Sequence, residues 1–320
     1  MRPTGEGADA RTASDVGYID HRLLEHDSDE QFLAHVVPYI LEGLEVGEPA
    51  LLVCSPRMVQ LAQDTLGVEA SEQVRFADAE TWGSGNVAAR VLAIDWDIRK
   101  MLGAASRCRV IQEFTWQAAP QQREWLRHEA ATNLLRPASE VSFLCTADTR
   151  THSPEYLAEL RRTHPLIAPD RPNDEFADPR SYLAQADARL GTPAPPTADT
   201  SEAVQDADLH AMRQRVTAAA RTAGLGEYQI QCVALAATEV VANALHHAQK
   251  PATIRTWDEE NLFSCEVSDH GSGIQDPLAS YRPPAPAGGR CGLWLARTFS
   301  DEVRIVSSPE GTIVRMTFSH

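Results

Sequence analysis

Apolar positions change their period several times along the chain. Ser28-Asp29-Glu30-Gln31 has the form of a helix-capping box, and Phe32, Val36, Ile40 and Leu44 follow at helical spacing until Gly47 stops the run. Beyond it, strand-like runs at 50–54, 74–76, 110–114 and 141–145 alternate with helical patterns through Leu61 and Leu66, Val91 and Ile98, and Leu126 and Leu134. Such alternation predicts βαβ units around a parallel sheet, hence an α/β domain over residues 18–168. Residues 1–17 are small, polar and aperiodic and read as a disordered tail.

The stretch 169–206, with PDRPNDEF and GTPAPPTADTSEA, is rich in Pro, Ala and acids and reads as a linker. The pattern then changes. Helices are expected over 208–223 and 228–248, the second with an apolar stripe of Ile230, Val233, Ala234, Ala237, Val241, Ala244 and Ala248. Strands are expected at 252–257, 262–268, 302–307 and 312–318, with one helix between the second and third. Helices grouped before an antiparallel set of strands predict an α+β sandwich over 207–320.

Composition narrows the function. A length of 320 residues favours two domains over one core. A net charge of -16 repels phosphate backbones and anionic lipid alike, so direct binding to nucleic acid or membrane is not expected, and any control of transcription should run through protein partners. No apolar run reaches the roughly 20 residues a bilayer needs, and the opening lacks the apolar core of a signal peptide, so a cytoplasmic protein is expected. The six cysteines (Cys54, Cys108, Cys145, Cys232, Cys265 and Cys291) form no CxxC pair and read as small buried hydrophobes.

The chemistry concentrates in the second half. Glu239 and Asn243 stand one turn apart on the second helix, a carboxylate and a carboxamide that can share a ligand environment of hard cation, phosphate oxygens and a hydroxyl to be deprotonated. His246 and His247 continue near that face. The strand 262–268 ends in Asp269-His270-Gly271-Ser272-Gly273, where the aspartate can accept from an exocyclic amine and the glycines let the backbone turn sharply under a planar ring. Gly288-Gly289-Arg290-Cys291-Gly292-Leu293 runs straight into a helix, and N–H groups at a helix N-terminus attract anions. The segment 276–287 has the composition of a lid, and Gly311-Thr312 opens the last strand.

The order E-x-x-x-N-A-x-x-H, D-x-G-x-G, G-G-x-x-G-L and G-T resembles the GHKL (Bergerat) superfamily of gyrase, chaperone and histidine-kinase ATPases. Within it, the short domain and the text GLWLARTFSDEVRI are most similar to RsbW-type anti-sigma-factor kinases, over about residues 207–320. The resemblance implies ATP and Mg²⁺ as cofactors and serine/threonine kinase activity. A sigma factor and an anti-sigma-factor antagonist are the implied protein partners, and a homodimer is compatible with it. It implies Glu239 as general base, Asn243 as the Mg²⁺ ligand and Asp269 on the adenine amine, with His247, Gly271 and Gly273 in the nucleotide pocket. Gly289, Gly292 and Leu293 are placed at the phosphates and Thr312 beside the aspartate. Cys291 lengthens the family's glycine loop by one residue.

In the first half, Ser55-Pro56-Arg57-Met58 follows the strand 50–54 where a phosphate loop would show GxxxxGK[ST]. The stretches His21, Glu30-Gln31-Phe32-Leu33, Val37-Pro38-Tyr39, Glu42-Gly43-Leu44, Gly47-Glu48-Pro49, Ile111-Gln112-Glu113, Arg127-His128-Glu129 and Arg162-Thr163-His164-Pro165 resemble the MEDS sensory domain. That resemblance implies a RecA/KaiC-like parallel sheet without its phosphate loop and the sensing of an unidentified small molecule. His21, Glu113 and His128 are candidate pocket residues, since polar groups at strand ends often face the crevice of an α/β sheet. Two other readings stay open: a sensor histidine kinase, for which His210 is the available acceptor ahead of the ATPase, and a non-catalytic module that ATP gates.

Overall fold

The computed structural model describes residues 18–82, 86–116, 118–137, 139–188, 194–195, 198–204, 208–248, 251–282 and 292–320. The 1–17 tail, Gly289 and Cys291 lie outside them. The chain divides into two compact units. One draws on residues up to 82, 93–115 and 132–179, and the other on residues within 83–92, 116–131 and 180–320.

The first unit is built on β1 (Asp20–His26), β2 (Ala50–Cys54), β3 (Val74–Asp78), β4 (Cys108–Glu113), β5 (Val141–Asp148), β6 (Leu166–Ile167) and β7 (Arg171–Pro172), in the order β3-β2-β4-β5-β1-β6-β7. All neighbours are parallel except β6 and β7. The βαβ pattern is therefore present. The periodicity missed β1, which holds the sheet together between β5 and β6. Its buried positions include His21 and His26, which do not register as apolar.

Helix α1 (Asp29–Glu45) starts at the expected box: Gln31 N donates to Ser28 Oγ at 3.3 Å, and the Gln31 carboxamide accepts from Asp27 N at 2.9 Å. Its Phe32, Val36, Tyr39 and Ile40 pack with Met58 and Ala62 of α2 (Pro56–Ser71) and with Leu52, Ile111 and Leu144 of the sheet. Each buried Val, Leu, Ile, Phe or Met side chain there contributes about 1.5–3 kcal/mol. Helices α3 (Val87–Leu102) and α4 (Ala119–Leu135) contribute residues to both units, and α5 (Pro154–Thr163) belongs to the first.

The second unit has an antiparallel sheet of β8 (Asp199–Val204), β9 (Ala252–Glu259), β10 (Leu262–Ser268), β11 (Glu302–Ser308) and β12 (Gly311–Ser319), in the order β11-β12-β10-β9-β8. Its helices include α6 (Pro179–Ala188), α7 (Leu209–Thr222), α8 (Glu227–Ala248) and α9 (Gly292–Phe299). On β12, Thr312, Val314, Met316 and Phe318 alternate inward and meet the apolar stripe of α8 in one core with Phe263 and Val267 of β10. The two-residue period of the strand and the 3.6-residue period of the helix thus supply the two faces of one layer pair.

The stretch read as a linker carries structure. Arg171 pairs with Ile167, α6 buries Tyr182 and Leu183, and Asp199–Val204 adds an edge strand to β9. A polar edge strand needs only backbone pairing and so leaves no apolar signature.

Residues 116–131 bring a set of charges into the second unit. Glu124 pairs with Arg297, both 1% exposed, and Arg127 reaches Glu302 at 3.0 Å and Asp187 at 3.1 Å. Arg123 and Arg304 add contacts to Glu302 at 2.6 Å and 2.8 Å. Burial alone would raise the Glu302 carboxyl, but hydrogen bonds from Arg123 and Arg304 and the charge of Arg127 hold it down at about 2. Among the described residues no helix is long and apolar enough to cross a membrane.

Candidate functional site

A cavity of about 330 Å³ opens in the second unit, walled by α8, the loop after β10, the start of α9 and the start of β12. Asn243, His247, Asp269, Gly271, Gly273, Leu293 and Thr312 line it, so most residues singled out for nucleotide binding converge from four separate segments. Apolar wall comes from Val240, Ala244, Val267, Ile274 and Val314. A half-apolar pocket with a few placed polar groups suits a planar base with a charged tail.

Close approaches fix the geometry. Asp269 follows β10, and its N–H donates to Thr312 O at 2.9 Å, which ties the aspartate to the last strand through its backbone. Its Oδ1 accepts from Gly271 N at 2.7 Å. Gly311 allows this approach: its φ is +152°, and any Cβ there would run into the Asp269 carbonyl. Gly273, at φ +80°, sits where a Cβ would meet Ser307 Oγ at 2.9 Å, and Ile274 N donates to that hydroxyl at 2.6 Å. Ser307 thereby pins the loop after β10 to β11, a role that sequence reasoning missed because an exposed serine near a strand end carries no motif signal.

At the other end, Gly292 opens α9 against α8. A Cβ on it would collide with the Asn243 carboxamide and stand 2.9 Å from Glu239 O. The glycine is therefore required by contact, whatever ligand is bound. Glu239 is half-buried one turn before Asn243 and is not among the residues lining the cavity. Gly289 falls outside the described residues.

The proposed sensory residues each have their own partners. His21 is buried in β1, with Nδ1 3.1 Å from Asn133 Oδ1 and Nε2 3.2 Å from Cys145 Sγ. Glu113 ends β4 and accepts from Ser55 N at 2.6 Å, which places its charge at the N-terminus of α2. His128 belongs to the second unit, 3.3 Å from Glu124 and edge-on to Tyr281. His21 and Glu113 fall in the first unit and His128 in the second. His128 lies one turn from Glu124 on α4 and shares that buried charge environment. His210 is exposed on α7 and contacts Gln214.

A glycine-bounded pocket between a long helix and an antiparallel sheet defines an ATP-binding module of the histidine kinase-like type. Residues 203–318 match the family described as histidine kinase-like ATPase domain, and residues 20–165 match MEDS, the methanogen/methylotroph DcmR sensory domain. An anti-sigma F factor of Caldanaerobacter subterraneus subsp. tengcongensis is 35% identical over 100 residues, 28% of this chain and 69% of that protein. The anti-sigma F factor of a Thermoanaerobacter species is 33% identical over the same shares. The chain belongs to the anti-sigma F factor family of histidine kinase-like ATPases, with a MEDS domain ahead of the ATPase. A solved structure of the RsbU and RsbW domains of a Mycobacterium tuberculosis protein aligns at 17% identity and a TM-score of 0.30 over 39% of this chain and 33% of that one, too distant to bear on the fold.

Proposed function

We propose that the protein is an ATP-dependent serine/threonine kinase of the anti-sigma type. In this reading it binds a sigma factor, phosphorylates a protein antagonist and answers a small-molecule signal through the MEDS domain. The observation that carries the reading is the convergence of Asn243, Asp269, Gly271, Gly273 and Thr312 on one cavity, with Gly292 pressed against Asn243.

In this reading Asp269 accepts from the adenine amine, and the α9 N-terminus faces the phosphates. Asn243 fits a magnesium site, since its carboxamide offers an oxygen at the cavity wall and Mg²⁺ takes its remaining ligands from water and phosphate. Bound there, the ion would neutralise charge developing on the transferred group. Glu239, on the same helix face, accepts the proton of the attacking hydroxyl.

Glu239→Ala tests the assignment. Phosphate transfer to the antagonist should vanish while ATP affinity persists, and the product formed by the unsubstituted chain should survive acid. An acid-labile product would instead point to a phosphohistidine. The position of Glu239 outside the cavity lining favours one second reading, an ATP-gated module without transfer. Under that reading Glu239→Ala leaves sigma-factor control in cells unchanged.

A further inference from the structure

The first unit holds a second constellation with the residue types of a metal site. His21 on β1, Cys145 on β5 and His164, the C-cap of α5, are all 0% exposed. One donor atom of each lies within 4.8 Å of the others. The parallel register sets Leu23 opposite Cys145 and His21 opposite Phe143, so Cys145 and His21 project from the same face of the sheet, two positions apart.

The hydrogen bonds around them prepare both rings to be ligands. Asn133 Nδ2 donates to Thr163 O at 2.9 Å, which turns its carboxamide oxygen toward His21 Nδ1 at 3.1 Å. His21 Nδ1 is therefore the protonated nitrogen, and the Nε2 lone pair faces Cys145 Sγ at 3.2 Å. His164 Nδ1 donates to Leu160 O at 2.7 Å, which leaves its Nε2 as the acceptor. Gln112 Nε2 donates to Cys145 Sγ at 3.1 Å, a bond that a thiolate accepts better than a thiol. Ligating histidines are commonly held through the other ring nitrogen in this way.

We propose that His21, Cys145 and His164 bind one borderline transition-metal ion of the zinc class, with Asn133 and Gln112 as positioning residues. Two imidazoles and a thiolate select zinc-like ions over magnesium or calcium. Zinc bonds of about 2.0–2.1 Å to nitrogen and 2.3 Å to sulfur place tetrahedral N and S donors roughly 3.5 Å apart. The observed 3.2 Å between His21 and Cys145 is within a small relaxation of that value. Binding releases the Cys145 thiol proton to solvent, so affinity should rise with pH. Because all three donors are buried, the ion enters as the chain folds or through a local opening.

The test uses the full chain, stripped with a chelator and titrated with Co²⁺ alone. Binding of about one ion per chain with a thiolate-to-cobalt charge-transfer band in the near ultraviolet is expected. Cys145→Ser should abolish the band, Cys291→Ser should keep it, and Asn133→Ala should weaken Co²⁺ binding about 10- to 100-fold. A folded chain that gives no band has a metal-free core in which the Cys145 thiol donates to His21, and the proposal fails. It fails equally if the band survives Cys145→Ser or is lost with Cys291→Ser. Stoichiometry and band in the unsubstituted chain, with the Cys291→Ser control, decide the matter even if Cys145→Ser does not fold. Ions at Asn243 are distinguished by the Cys291→Ser control, since Cys291 directly precedes Gly292, which abuts Asn243.

Discussion

Gly292→Ala puts the nucleotide site to its sharpest test. The added methyl would claim the space of the Asn243 carboxamide and approach Glu239 O at 2.9 Å. Inserting a methyl group into such a contact costs about 1–3 kcal/mol. The α8 backbone is locked by its own hydrogen bonds and by the core beneath it, whereas the Asn243 side chain can rotate. Relief should therefore come from the carboxamide, which leaves the position in which it faces the cavity. If that displacement is lost binding, the same 1–3 kcal/mol corresponds to a roughly 5- to 150-fold weaker affinity. Calorimetric titration of ATP with and without Mg²⁺ reads the effect. The magnesium-dependent part of the affinity should collapse while binding without Mg²⁺ changes little, and the urea midpoint should also fall, because the Glu239 carbonyl cannot rotate away from the methyl. An unaltered Mg·ATP affinity together with unaltered stability would refute the reasoning, because the methyl would then have found space that the geometry denies it.

Other perturbations read the rest of the second unit and the thiols. Glu124→Ala leaves Arg297 buried without its carboxylate partner, beside Ser280 Oγ, Val303 O and the Tyr281 ring, and should cost about 3–5 kcal/mol in urea unfolding; a loss under about 1 kcal/mol would mean that those neutral neighbours suffice. Glu302 has its folded pKa lowered to about 2 from an ordinary 4.5, so its contribution to stability is complete above pH 4.5 and fades as pH falls toward 2. Urea midpoints across that window should fall less steeply for Glu302→Gln than for the unsubstituted chain, and parallel curves would contradict the assignment. Burial pushes the Cys108 and Cys265 thiols up to about 12, so native alkylation at pH 8 should spare both until urea is added, as mapped by mass spectrometry.

The second unit was largely legible in the chain because α8 and β12 are each patterned on one face. The stripe from Ile230 to Ala248 and the alternation from Thr312 to Phe318 locate α8 and β12 almost to the residue, and the polar residues between them carry the motif. Sequence reasoning failed where a residue's role depends on distant partners. β1 buries His21 and His26 in positions that a hydropathy pattern treats as polar, and β8, whose sequence DTSEAV shows no apolar alternation, pairs with β9. Ser307, which anchors the loop after β10, and Arg297, buried with its charge, look in the chain like ordinary surface residues. Their functions depend on a hydrogen bond to Ile274 N and an ion pair to Glu124, formed across 33 and 173 positions of sequence.

The unit that holds the cavity beside α8 is discontinuous in the chain, since it includes residues 116–131. A ribosome therefore releases Arg123, Glu124 and Arg127 long before their counter-charges at Arg297 and Glu302 exist, and the unit can close only after almost the whole polypeptide has emerged. A recombination event that cut near residue 180 would carry Arg297 and Glu302 into a new gene without the helix that neutralises them. An exchange of the upstream domain would have to preserve that helical turn or replace its charges.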